Sequence, residues 1–79
     1  MNEVKIGGIY RHFKGKEKLY RVINLARGCE NSSKIFVIYE QLYETKDSPK
    51  GTIWKRSLKE FVGFKEIDGR KVKRFELTA

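Results

Sequence analysis

The sequence holds one histidine, His12, and one cysteine, Cys29. A thiolate–imidazole pair is the simplest nucleophilic device such residues can make, but it needs both side chains within hydrogen-bond reach and a third group to orient the base. His12 lies in "GGIYRHFKGKEKLYRV" (Gly7 to Val22), whereas Cys29 lies in the polar run "RGCENSSK" (Arg27 to Lys34). A strand histidine and a loop cysteine supply no such mechanism. No His, Cys or carboxylate spacing resembles a metal site. The glycines of "KIGG" and "FKGK" do not follow a phosphate-cradling pattern. The expectation is a protein that is not an enzyme, with no catalytic residues, metal or cofactor.

Aromatic and basic residues offer a different chemistry. Tyr39 and Tyr43 are four apart, with Gln41 between them, so one strand would place them on the same face. Trp54 and Arg56 would share a face of the next strand. An aromatic wall of this kind stacks on a base or a proline ring, while the guanidinium holds an anion. The competing reading makes Trp54 and the tyrosines core residues with polar tips at the surface. On a strand, Tyr10, His12 and Lys14 point one way and Ile9, Arg11 and Phe13 the other. With Ile9 and Phe13 in the core, His12 lies on the wetter face. It is then either a hydrogen-bonded strand residue or a contact group that senses pH near neutrality.

Charge bears on the partner. Lys and Arg number 18 against 10 Asp and Glu, a formal net charge of +8. The excess is spread evenly: residues 1–40 hold 8 bases and 4 acids, and residues 41–79 hold 10 and 6. Local concentrations are "KRSLK" (Lys55 to Lys59) and "GRKVKR" (Gly69 to Arg74). Anionic partners are favoured, nucleic acid first.

These groups must be positioned by a small scaffold. Seventy-nine residues make one domain, expected over 1–79 with its core at about 8–77. A chain of this size buries only about 60–65% of its unfolded surface, so the 5 Phe, 4 Tyr and 1 Trp carry much of the core. No apolar run is long enough to span a membrane, and "MNEVKIGG" lacks the apolar centre of a leader peptide. A single cysteine excludes an internal disulfide, so a cytoplasmic location is expected.

Short β-rich segments alternate with turn signals along the chain. "IYRHFK" (Ile9 to Lys14) and "LYRVINLA" (Leu19 to Ala26) form a hairpin about the polar turn "GKEK", and Val22 is a core contributor. "IFVIYEQLY" (Ile35 to Tyr43) is the strongest strand, central and buried on both faces. "ETKDSPKG" (Glu44 to Gly51) is a loop, and "TIWKR" (Thr52 to Arg56) a short strand. Ser57, with Glu60 three residues on, caps one helical turn. Asp68-Gly69 joins the last two strands, pairing Ile67 with Arg70 and Val62 with Phe75. Val62, Phe64, Phe75 and Leu77 then share a buried face opposite a basic one. The fold class is all-β: a small SH3-like barrel of about five or six antiparallel strands with at most one helical turn.

The ordered segments "GIYRHFKG", "LYRVINLAR", "IYEQLY" and "WKRSLKEF", followed by "IDGRKVKRFE", resemble the bacterial family known as domain of unknown function 1653. The likeness runs from Gly8 to Glu76 and implies an SH3-type barrel. It marks Tyr10, His12, Phe13, Lys14, Gly15, Tyr20, Val22, Ala26, Glu30, Tyr39, Leu42, Tyr43, Trp54, Arg56 and Phe61. Two positions depart from it, with Gly28 in place of a histidine and Ser57 in place of a proline. The polar subset that packing explains least, His12, Lys14, Glu30, Tyr39, Tyr43, Trp54 and Arg56, forms the candidate ligand-binding site.

Nucleic acid, RNA or DNA, is the leading partner for a basic-aromatic face on a small barrel. The alternatives are an adaptor for an acidic or Pro-rich protein segment, and a small-ligand reader in which His12 and Glu30 give directional hydrogen bonds. No membrane association is expected.

Overall fold

Aromatic and β-branched residues pack well on a pleated surface, and the segments rich in them pair here as antiparallel strands. The computed structural model describes residues 4–79; residues 1–3, where the stretch read above for a leader begins, lie outside the described residues. The elements are β1 (Ile9–His12), β2 (Leu19–Arg27), β3 (Ile35–Gln41), β4 (Ile53–Ser57), a short helix α1 (Leu58–Phe61), β5 (Phe64–Ile67), β6 (Arg70–Lys73) and β7 (Phe75–Leu77). Five strands form one sheet in the order β4-β3-β2-β1-β7, and β5 and β6 form a separate two-stranded sheet. The class is all-β. The sheet does not close into the expected barrel, for β4 and β7 remain as its two edges. No helix among the described residues is long and apolar enough to cross a membrane.

Register builds the core. Directly opposed residues share a face of a sheet. The pairs Tyr10↔Tyr20, Tyr20↔Gln41, Val22↔Tyr39, Tyr39↔Trp54, Val37↔Arg56 and His12↔Phe75 therefore place all of these side chains on one inner face. Helix α1 lies over that face and contributes Phe61, whose ring stacks on Phe75 at 4.2 Å and meets Tyr10 edge-on at 5.2 Å. Tyr10, Val22, Val37, Tyr39, Phe61 and Phe75 are the buried cluster. Ser57 starts the helix as foreseen: its hydroxyl accepts the Glu60 N–H at 3.2 Å.

Two expectations are corrected. On β1 the faces are reversed: Tyr10 is buried and His12 points the same way, while Ile9 and Phe13 are only half-buried. Tyr10 tolerates burial because its hydroxyl accepts the Lys5 N–H at 3.0 Å. In the terminal segment Ile67 does pair with Arg70, and Asp68 and Gly69 take the positive φ values, 51° and 78°, that a tight turn requires. The hairpin ends at Phe64↔Lys73, however, and Val62 does not face Phe75. Arg74 interrupts it, donating its N–H to the Gly63 carbonyl at 3.0 Å and its Nε to the Glu60 carbonyl at 3.1 Å. The chain then changes sheets. Phe75 turns inward beside β1, leaving Phe64 58% and Leu77 46% exposed. That break also yields a seventh strand.

Candidate functional site

Arg56 is set by the pairing of β4 with β3, which aims its side chain onto the inner face. Its Nε donates to the Tyr39 hydroxyl at 3.2 Å, and its guanidinium carbon lies 5.6 Å from the centre of the Phe75 ring. Among the described residues the one ion pair joins Arg11 and Glu76, so no carboxylate neutralises Arg56. A guanidinium with five N–H donors, fixed by one hydrogen bond against an aromatic ring, retains a fork for an anion.

His12 borders the same ring. Its centroid is 5.0 Å from Phe75 and 6.4 Å from Tyr20, both edge-on, and 4.6 Å from Phe13. The Lys14 N–H donates to Nδ1 at 3.2 Å, which leaves the neutral ring's proton on Nε2. Burial lowers the His12 pKa from 6.5 to about 4, reinforced by the positive charges of Arg56, Lys14, Arg74 and Lys18. The imidazole is thus neutral at pH 7 inside a wholly cationic surround.

Tyr43 arrives by a different route from the one its spacing suggests. β3 ends at Gln41, so Tyr43 lies in the following loop, which folds back until its hydroxyl meets that of Tyr20. Burial, then this hydrogen bond, pushes the Tyr20 phenol well above its ordinary pKa of 10.0, so it stays protonated. Lys18 Nζ sits 5.2 Å above the Tyr43 ring. Trp54, on the edge strand, is on the inner face and yet 42% exposed; its Nε1–H donates to Gln41 Oε1 at 3.0 Å.

The structure therefore gathers His12, Tyr39, Tyr43, Trp54 and Arg56 on or beside one face. Lys14 joins them through its N–H, its Nζ lying 6.0 Å from the Phe13 ring. Glu30 is separated from them. It lies in the loop between β2 and β3, past the Arg27↔Ile35 pair, whereas His12, Tyr43 and Trp54 sit towards the Tyr20↔Gln41 end and Arg56 stands opposite Val37. At ~3.3 Å per residue, Tyr20 and Arg27 are about 23 Å apart along β2, and Arg56 is the cluster member nearest to that loop. Cys29 is exposed in that same loop, so no Cys29–His12 pair forms. No group of three or more His, Cys, Asp or Glu residues assembles a metal site among the described residues.

Gly28 has a local reason to be glycine. The loop closes tightly, with Gly28 N–H on the Lys34 carbonyl at 2.8 Å, and a Cβ at Gly28 would meet the Asn31 oxygen at 2.8 Å. A histidine does not fit this loop as it stands.

Sequence reasoning assigns no role to Gln41, which proves to be the organiser. Its side chain is 1% exposed, and Nε2 donates to the carbonyls of Tyr43 at 2.7 Å and Ser48 at 3.0 Å. Its Oε1 accepts from Ser48 Oγ at 3.1 Å as well as from Trp54. The signal was an amide occupying the inward position after Val37 and Tyr39 on an apolar strand. Such a buried group is retained only with its partners satisfied.

The family model described as "Protein of unknown function (DUF1653)" matches residues 8–77. This chain belongs to that family. Membership in DUF1653 assigns no activity, so the functional reading rests on the geometry above. Neither a search of curated proteins nor a search of solved structures finds a match.

Proposed function

We propose that this chain is a non-enzymatic binding module for single-stranded nucleic acid, RNA or DNA, with Trp54 stacking a base and Arg56 holding a phosphate. The observation that carries the reading is the placement of these two side chains on one face of edge strand β4. They stand about 7 Å apart along the strand, with the indole half open and the guanidinium unneutralised. Stacking on an exposed aromatic beside a cation is how small β modules take single strands without base-specific contacts. The formal charge of +8 supports the same partner. A non-catalytic role is favoured by the site's protonation states: a neutral His12 with a pKa of about 4 is a weak base at pH 7, and the Tyr20 phenol does not ionise there. A cytoplasmic setting belongs to the same proposal and is supported by the single, exposed, unpaired Cys29.

Trp54 is the sole tryptophan, so its fluorescence reports the site directly. Short oligonucleotides are expected to quench it, with an affinity that falls steeply as salt rises. By anisotropy of a labelled oligonucleotide, Trp54→Ala is expected to cost about 1–3 kcal/mol of binding. Arg56→Ala is expected to reduce the slope of log affinity against log salt by about 0.7. Absence of oligonucleotide binding at low salt, with salt-resistant binding of an acidic or Pro-rich peptide, overturns the proposal in favour of a peptide adaptor.

A further inference from the structure

A second surface, unconnected with Trp54 in sequence, carries more uncompensated charge than the candidate site. Between the turn that follows β1 and the β5–β6 hairpin runs an open groove of about 630 Å³. Lys14 and Lys16 line one wall, and Arg70, Lys71 and Lys73 the other. The acid on the groove, Glu76, is already held by Arg11 at 2.7 Å. Glu66 stands opposite Lys71 across the hairpin without forming an ion pair. Five cations from two separate elements therefore border one cleft, and none of them is held in an ion pair among the described residues. Converging like charges on a small domain oppose folding, and the potential they focus in a cleft draws in anions.

We infer that this groove is a phosphodiester track, which extends the nucleic-acid strand proposed for the Trp54–Arg56 face across the molecule. The inference rests on that reading for the class of ligand and deepens it by assigning where the backbone runs. The two surfaces meet on either side of the buried Phe75 ring. Arg56 lies over Phe75, the Phe75 ring is 5.0 Å from His12, and His12 itself lines the groove. A strand leaving Arg56 passes His12 and enters the cleft.

The composition of the walls selects the ligand. A lone phosphate is satisfied by a few donors, whereas five cations spread along an open cleft match a repeating anion. Four of the five are lysines, which serve as point charges for phosphate and are depleted in protein–protein interfaces. The walls offer only Phe13 and Val72 as sizeable apolar contacts, which is poor provision for a protein anchor. The low pKa of His12, caused first by burial, also carries a contribution from Lys14 of this groove.

The test compares the wild type with Lys16→Gln/Lys71→Gln/Lys73→Gln, all exposed positions. A charge-preserving variant with arginine at the same three positions controls for folding, which thermal melts also check. Labelled homopolymeric oligonucleotides of about 4 and about 12 nucleotides, spanning part or all of an OB-fold-sized site, are titrated at several salt concentrations. The glutamine variant is expected to lose the extra affinity for the longer strand, with its salt slope reduced by about 2. Short-strand binding should change little, and the arginine variant should bind as wild type. An unchanged slope, with Trp54→Ala still weakening binding, overturns the groove and leaves the face. A reduced slope with Trp54→Ala and Arg56→Ala silent keeps the groove and removes the face. Equal binding of poly-glutamate, or no oligonucleotide binding at low salt, overturns the nucleic-acid assignment for both surfaces.

Discussion

Trp54 Nε1–H donates to Gln41 Oε1 at 3.0 Å, tying an exposed indole on an edge strand to a fully buried amide on its neighbour. The two residues are not directly opposed, since Tyr39 faces Trp54 and Tyr20 faces Gln41. The bond is therefore diagonal and fixes the indole's orientation. A ring held in one orientation loses less freedom when a partner stacks on it. Gln41 also holds the Tyr43–Ser48 loop by its carbonyls, so one amide orders two parts of the candidate site.

Gln41→Leu keeps the side chain's approximate size and removes all of these bonds. The Tyr43 carbonyl and the Trp54 N–H then lose this partner, and the Ser48 carbonyl keeps only Thr45, which is expected to cost about 2–3 kcal/mol. Chemical denaturation measures that loss. Trp54 emission should shift to the red as the ring becomes mobile, and oligonucleotide affinity should fall. Unchanged stability and emission would show that Gln41 organises neither.

His12 makes the fold sensitive to acid. Its pKa is 6.5 before the structure forms and about 4 afterwards, with burial the main cause and Arg56, Lys14, Arg74 and Lys18 adding to it. Between those values the unfolded chain takes up a proton that the folded chain refuses. This contribution to stability is full above 6.5 and is lost as pH falls towards about 4. Removing one of the four cations should raise the folded pKa. A bound polyanion should raise it further, so binding strengthens as pH drops through that range. NMR titration of the His12 ring protons, with and without oligonucleotide and in Arg56→Ala, checks each step. An His12 pKa near 6.5 in the free protein would remove the argument.

The strands were legible because alternation and turn chemistry are local. Ser57, Asp68 and Gly69 act through neighbours a few residues away, and the structure uses all three as expected. What escaped depends on distant pairing. Which face of β1 turns inward is decided by its two neighbouring strands: both Tyr10 and Ile9 are apolar enough for either choice. The exit of Phe75 from the last hairpin depends on Arg74 finding the carbonyls of Glu60 and Gly63. At the site, Trp54 and Arg56 were recognisable from their spacing on one strand. The partners that orient them, Gln41 and Phe75, belong to strands β3 and β7, and nothing in the local sequence ties them to Trp54 or Arg56.

Ser57 links β4 to the helix that covers the core. Its hydroxyl satisfies the Glu60 N–H, and Phe61 at the other end of α1 is 1% exposed between Tyr10 and Phe75. Ser57→Ala is expected to cost about 1 kcal/mol, and Ser57→Asp, which caps as well, should restore it. A thermal melt of each variant distinguishes lost capping from a general effect of substitution. Equal melting temperatures for all three proteins would show that α1 is held by Phe61 alone.

Glu30 stands apart from the cluster on the inner face. Glu30 and Gly28 lie beyond the Arg27↔Ile35 pair, at the far end of β2 from Tyr20 and the Gln41 network. Glu30→Gln should therefore leave oligonucleotide affinity unchanged to within its error. The same holds for its salt slope, apart from the small gain that removing one acid from a basic protein brings. Gly28→Ala tests the loop independently. Its new Cβ would lie 2.8 Å from the Asn31 oxygen, so the loop must shift, and the cost is expected at about 1–2 kcal/mol. Binding by the folded fraction should remain as in the wild type, because no element of the cluster passes through this loop. A marked loss of affinity in Glu30→Gln would place the ligand along the whole of β2 and join this loop to the interface.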